Sequence, residues 1–280
     1  MSSKAVAWTL LSAITLAAVL IFNYWAAYQP LSTLVYSGIV LALCGVENLV
    51  FPFRFLGIRK RAIGLLILAG GVALTLAALS WPASMIRVAQ HKALLDDAMP
   101  EYQFFERHST RIYAQPEQVI QAVRESRFSD MKSLETLLRI RAAALRIHDT
   151  SNFLLDKRVL DAFSSSGYLS VGNEHEIAVF GGANVLAKHV LRVNTLQEFT
   201  DYREQGAVKM AFNFRVEDAG QGWSTVSTET RVLATDDLTR RGVGRYWRLI
   251  VPGSGLLRRQ WLESIRRAAE SMPNPGFKPS

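Results

Sequence analysis

Three long apolar runs occupy the first 82 residues, and they limit what this chain can become more than any other feature. Ala5–Tyr28 and Ala62–Trp81 carry no charged residue, and Leu31–Phe53 carries only Glu47. At ~1.5 Å of rise per helical residue, about 20 residues cross a hydrocarbon layer ~30 Å thick. A cleaved leader would need a shorter apolar stretch and would leave the two later runs unexplained. The reading is therefore a three-span transmembrane region over residues 1–82. Tyr24, Trp25 and Tyr28 fit an interfacial aromatic belt. Gln29-Pro30 and Trp81-Pro82 break the runs.

Charge suggests the direction of crossing. Residues 1–92 hold seven Lys/Arg against Glu47 alone, which accounts for +6 of the formal net charge of +8. Arg54, Arg59, Lys60 and Arg61 form one compact loop, and such loops stay cytoplasmic. Three spans then leave the amino terminus in the cytoplasm and the rest of the chain outside the cell (inner) membrane. The remaining 188 residues are nearly neutral, so the basic balance speaks for membrane topology and against nucleic acid. Glu47, beside Asn48 near the end of the second run, is either an intramembrane functional group or an interfacial one that reaches water or pairs with Arg54. Gly70-Gly71 either admits a neighbouring helix or is ordinary glycine tolerance. Cys44 stands alone, so no intramolecular disulfide and no cysteine-rich metal site can form.

Residues 83–100 read as a connector helix closed by Pro100. Residues 101–271 carry the patterns of an α+β domain, and 272–280, with Pro273, Pro275 and Gly276, read as a disordered tail. Tyr102–Tyr113 alternates as a first strand. Pro116 opens a helix with Val119, Ile120 and Val123 on one face. Asp130–Leu145 is a second helix with Met131, Leu134 and Leu138 on one side, and Asn152–Phe163 a third. Tyr168–Val171 and His175–Gly181 are strands, with Gly181-Gly182 expected to bend or bulge. Residues 183–205 are the least legible stretch.

The clearest pattern lies further on. Val208, Met210, Phe212, Phe214 and Val216 share one strand face, and Lys209, Asn213 and Arg215 the other. After the turn at Asp218–Gly222, Val226, Thr228, Thr230 and Val232 alternate with Thr225, Ser227, Glu229 and Arg231. This is a β-hairpin with one apolar face, and the helical segment after it is the nearest cover. Pro252 and Gly253 predict that this helix breaks, with halves near 237–250 and 255–270.

The phrases TETRV, YWRLI, PGSGLLRRQWL and AAE, with the upstream FFERHSTRIYAQPEQVIQAVRE, resemble bacterial START-like proteins of the SRPBCC superfamily, which includes polyketide cyclases. The resemblance covers residues 101–271. It implies a helix-grip fold: an antiparallel sheet wrapped on a long C-terminal helix with an apolar cavity between. The implied lining is Val208, Met210, Phe212, Phe214, Val226, Thr228, Thr230, Trp247, Ile250, Trp261 and Ile265, although aromatic stripes at such spacings also serve as plain core.

Motifs for chemistry are missing. There is no Walker-type loop, no GxSxG and no HExxH, and GVGRYW lacks the third glycine of a dinucleotide site. His91, His108, His148, His175 and His189 are scattered, and neither metal nor cofactor is expected. His175-Glu176 on one strand and Glu229 and Arg231 on another read either as a polar patch, a general acid/base or a head-group anchor within the cavity, or structurally, with Glu229 and Arg231 in exposed cross-strand pairs with Lys209 and Arg215. The arginines between Arg240 and Arg267 serve either lipid head groups or a solvated helix face. The leading expectation is a membrane-anchored module, partnered by membrane lipids, that binds a hydrophobic small molecule. The rivals are a cyclase-like enzyme and a structural protein whose core is filled by its own side chains.

Overall fold

A computed structural model describes residues 29–50, 61–146 and 155–273. The chain divides into two compact units. One holds residues up to Pro82 together with Gly244–Pro252; the other holds Ala83–Val243 and Gly253 onward.

In the first unit, two helices are long and apolar enough to cross a membrane: α1 (Pro30–Val50) and α2 (Arg61–Ser80). The first expected span, Ala5–Tyr28, lies outside the described residues. Most of both helix surfaces is open. They touch through glycine. A Cβ on Gly38, Gly45 or Gly71 would strike the backbone or a side chain of the facing helix, whereas one on Gly70 would meet nothing within 4 Å. Of the expected glycine pair, Gly71 therefore makes the close approach and Gly70 does not.

Residues 244–252 complete this unit. Trp247 Nε1 donates to Gln29 Oε1 at 3.1 Å, and the Tyr36 hydroxyl donates to the Leu249 carbonyl. The Arg248 guanidinium donates to the carbonyls of Leu79 and Trp81, which the end of α2 leaves without helical donors.

The second unit is an α+β domain built on an antiparallel sheet. The strands are β3 (Phe104–Ile112), β4 (Leu169–Gly172), β5 (Glu176–Asn184), β6 (His189–Leu191), β7 (Ala207–Gly220) and β8 (Trp223–Ala234). Their order is β3-β8-β7-β5-β4, with β6 on β5, and every pairing is antiparallel. The expected hairpin is β7–β8, and its turn takes left-handed backbone at Gly220, Gln221 and Gly222 after a register shift at Asp218. A small ribbon of β1 (Ile86–Arg87) and β2 (Glu101–Tyr102) precedes the sheet.

Helices lie on both sheet faces. On one face lie α4 (Pro116–Glu125), α6 (Val159–Ser165) and the far end of α8 (Asp237–Ser271), in a core that takes in Val119, Val123, Val159, Phe212, Phe214, Trp261 and Ile265. α5 (Leu134–Leu145) adds Leu134 and Leu138 to it. On the other face, α3 (Leu94–Ala98) and α7 (Leu196–Asp201) set Leu95, Ala98 and Phe199 against Ala178, Phe180 and Ala211.

Several expectations change. The C-terminal helix does not break: α8 runs for 35 residues with Pro252 inside it. Proline there removes a donor at a cost of about 3 kcal/mol, but Trp247, Val251 and Pro252 itself are buried around it, and that packing holds the turn. The connector is not one helix, since β1 and α3 share residues 83–100 with extended chain. Gly181-Gly182 makes no bulge. β5 passes through both glycines in register, and the missing side chains make room for the Tyr168 ring and the Val208 carbonyl.

Candidate ligand-binding site

The strand register brings most of the expected lining together. Phe212 sits between Thr230 and Val179, Phe214 between Thr228 and Ile177, and Val216 faces Val226. Trp261 of α8 closes on them, its ring centre 4.5 Å from Phe214 and 6.0 Å from Phe212, with its Nε1 donating to Ser126 Oγ. Ile265 packs in the same cluster and Met210 at its margin. Val208 lies at the start of β7, opposite Ala234 and Ala183. Trp247 and Ile250 belong to the other unit. Phe212, Phe214 and Val226 are 0% exposed and Trp261 4%, so these side chains fill the space between helix and sheet with one another.

A polar cluster is embedded in that apolar face. Glu106 and His108 of β3 point to the same side as Ile112, with Glu106 Oε1 2.7 Å from His108 Nε2. Ser254 Oγ donates to Glu106 Oε2 at 2.6 Å. The Arg258 guanidinium reaches Thr230 Oγ1 at 2.8 Å and Thr228 Oγ1 at 3.4 Å, and lies over the Phe212 and Trp261 rings. Desolvation pulls Arg258 down to about 10, against the opposing pull of Glu106. A glutamate–histidine pair is suited to proton transfer, but both oxygens of this glutamate are occupied and His108 is 8% exposed. The cluster pins α8 to the sheet. Sequence reading treated His108 as isolated; the signal was the period-2 alternation of residues 104–112, which sets Glu106 and His108 on one face.

The opposite face was expected to be solvated, and it is not. Arg231 is buried and paired with Asp96 and Glu229, each at 2.6 Å, while its Nη1 donates to the Met99 carbonyl. Asn213 bridges the rest: its Nδ2 donates to Glu176 Oε1 and its Oδ1 accepts from Glu229 N. Glu176 Oε2 accepts from Leu94 N at the start of α3. The expected exposed pairs of Glu229 and Arg231 with Lys209 and Arg215 are thereby corrected, because α3 covers this side. Burial pushes the Asp96 carboxyl up, but the Lys92 and Ala93 amides and Arg231 outweigh it and hold the group below its ordinary value. His175 is exposed, apart from this network.

Beside the network lies a cavity of about 400 Å³. Met85, Val88, Ala98, Met99 and Leu233 give it apolar walls, and Arg87, Glu101, Arg203 and Lys209 give it charge. Lys209 is the notable member. It is 2% exposed, its Nζ donates to the Thr200 carbonyl at 2.9 Å, and it lies 4.7 Å from the Phe199 ring centre. Desolvation, with the nearby Arg203 charge, lowers its pKa to about 8; Asp201 pulls the other way. Sequence reading missed this site because its walls come from residues 85–101, 200–209 and 233–235, which share no local motif.

No protein-family model, curated protein or solved structure matches the chain.

Proposed function

We propose that this chain is a membrane-anchored binding module that takes a hydrophobic small molecule, as carrier or sensor, into the cavity walled by Met85, Val88, Met99 and Leu233. The observation that carries this reading is the cavity itself: about 400 Å³, mostly apolar, with a few convergent polar groups, the usual makeup of a ligand pocket. Each Å² of apolar ligand surface buried there gains about 25 cal/mol. The tether is short, since residues 81–84 alone join α2 to the first cavity residue.

The START-like resemblance fits this proposal at the level of architecture. A curved helix-grip arrangement would place an antiparallel sheet against a long C-terminal helix, and both elements are present. It would also place ligand between them, among Phe212, Phe214, Trp261 and Ile265, where the side chains already pack on one another. We therefore assign the ligand to the opposite face. We further propose a third span at Ala5–Tyr28, the basic loop 54–61 in the cytoplasm and the sheet unit outside the cell membrane. A reporter fused after Ser280 that is active only in the cytoplasm overturns that direction.

The ligand assignment is tested on the full chain in lipid nanodiscs, by native mass spectrometry with organic extraction. A bound mass is expected in the wild type and absent in Leu233→Trp, which fills the cavity. It should persist in Phe212→Leu, which alters the other face. Loss in Phe212→Leu with retention in Leu233→Trp moves the ligand back between helix and sheet.

A further inference from the structure

The charges around the cavity do not balance. Arg87 and Glu101 neutralise each other, with Arg87 Nε 2.8 Å from Glu101 Oε1. Lys209 and Arg203 are left over. Arg203 Nη1 donates to the carbonyls of Thr200 and Tyr202, and Lys209 Nζ donates to the Thr200 carbonyl. Neither forms an ion pair among the described residues. The other ionisable groups facing this corner are Asp201, which is exposed and engaged by Gln197, and the Arg87–Glu101 pair. Two cations thus line one small cleft with apolar walls, one of them an almost fully buried ammonium with donors to spare. Buried cations are ordinarily paired, and an anion placed between these two would remove their repulsion and use the free donors.

We propose that the ligand of this cavity is a single-chain amphiphile whose oxyanion head group, carboxylate or phosphate, is received by Lys209 and Arg203, with its tail against Met85, Val88, Met99 and Leu233. This rests on the cavity reading above and gives its ligand a chemical class. The size supports one chain, since about 400 Å³ is at the small end of ligand pockets. Binding the anion raises the Lys209 pKa from its free value of about 8, because an opposite charge favours the protonated amine. Affinity is therefore full below that value and falls as the pH rises through it and the amine loses its proton.

The experiment titrates the full chain in zwitterionic nanodiscs with octanoate and with 1-octanol, by calorimetry, with empty nanodiscs as blank. Octanoate is expected to bind at least tenfold tighter than octanol. Lys209→Met should abolish that preference while leaving octanol binding intact. Arg203→Gln, at an exposed position, should weaken octanoate several-fold. Lys209→Arg should keep the preference and flatten the loss of affinity between pH 7 and 9. Equal binding of the two probes, or a preference that survives Lys209→Met, overturns the head-group assignment and leaves the cavity reading standing. Failure of both probes to bind overturns both.

Discussion

Arg231 and Lys209 are two basic residues on the same buried sheet face, and they should behave in opposite ways when replaced. Arg231 holds two carboxylates, so Arg231→Met leaves Asp96 and Glu229 enclosed without their cation. Breaking a buried pair from one side costs about 3–5 kcal/mol, and denaturant melts should show a loss in that range. Lys209 has no carboxylate to abandon, so Lys209→Met should fold and should be at least as stable at pH 7. The pH profile separates them further. Asp96 is held below 3.8, so its contribution is present above that value and is lost as the pH falls through the lower folded one. Lys209 is lowered from 10.5 to about 8, and its unfolded form keeps the proton longer, so wild-type stability should rise between those values. That rise should vanish in Lys209→Met; an unchanged rise would mean that another group causes it.

Among the elements, α8 and the α1–α2 pair offer the sharpest tests. Pro252→Ala restores an amide that can bond the Arg248 carbonyl. It regains about 3 kcal/mol of helix propensity and gives up about 0.8 kcal/mol for each buried methylene lost. A net gain of about 1 kcal/mol is expected in thermal melts, and a large loss would show that the proline ring is itself a packing anchor. In the helix pair, Gly45→Ala and Gly71→Ala should each cost about 1–3 kcal/mol by overpacking, while Gly70→Ala should be neutral, read by melting in detergent. The legibility of these elements followed their length. The β7–β8 hairpin repeats its alternation over 14 and 12 residues and could be read directly. Helices α3 and α7 have five and six residues, too few turns for a 3.6 period to show. Without them the Lys209 and Arg231 face looked solvated, and the cavity beneath had no signature. Pro252 misled for the converse reason: a local penalty was visible, and the burial that offsets it was not.

For the molecule as a whole, release from membranes should require detergent and resist high salt or alkaline carbonate, because two described helices are long and apolar enough to span. Extraction by carbonate alone would overturn the membrane assignment. The division into units has a further meaning when the chain is followed in the order of its synthesis. Helices α1 and α2 leave the ribosome early, yet the residues that satisfy Gln29, Leu79 and Trp81 are Trp247 and Arg248, separated from them by 167 to 218 positions. Every strand of the sheet is translated in between. The helix pair is thus made before the sheet and receives residues 244–252 only after it, and a message truncated before codon 244 would yield a helix pair that had never received that segment.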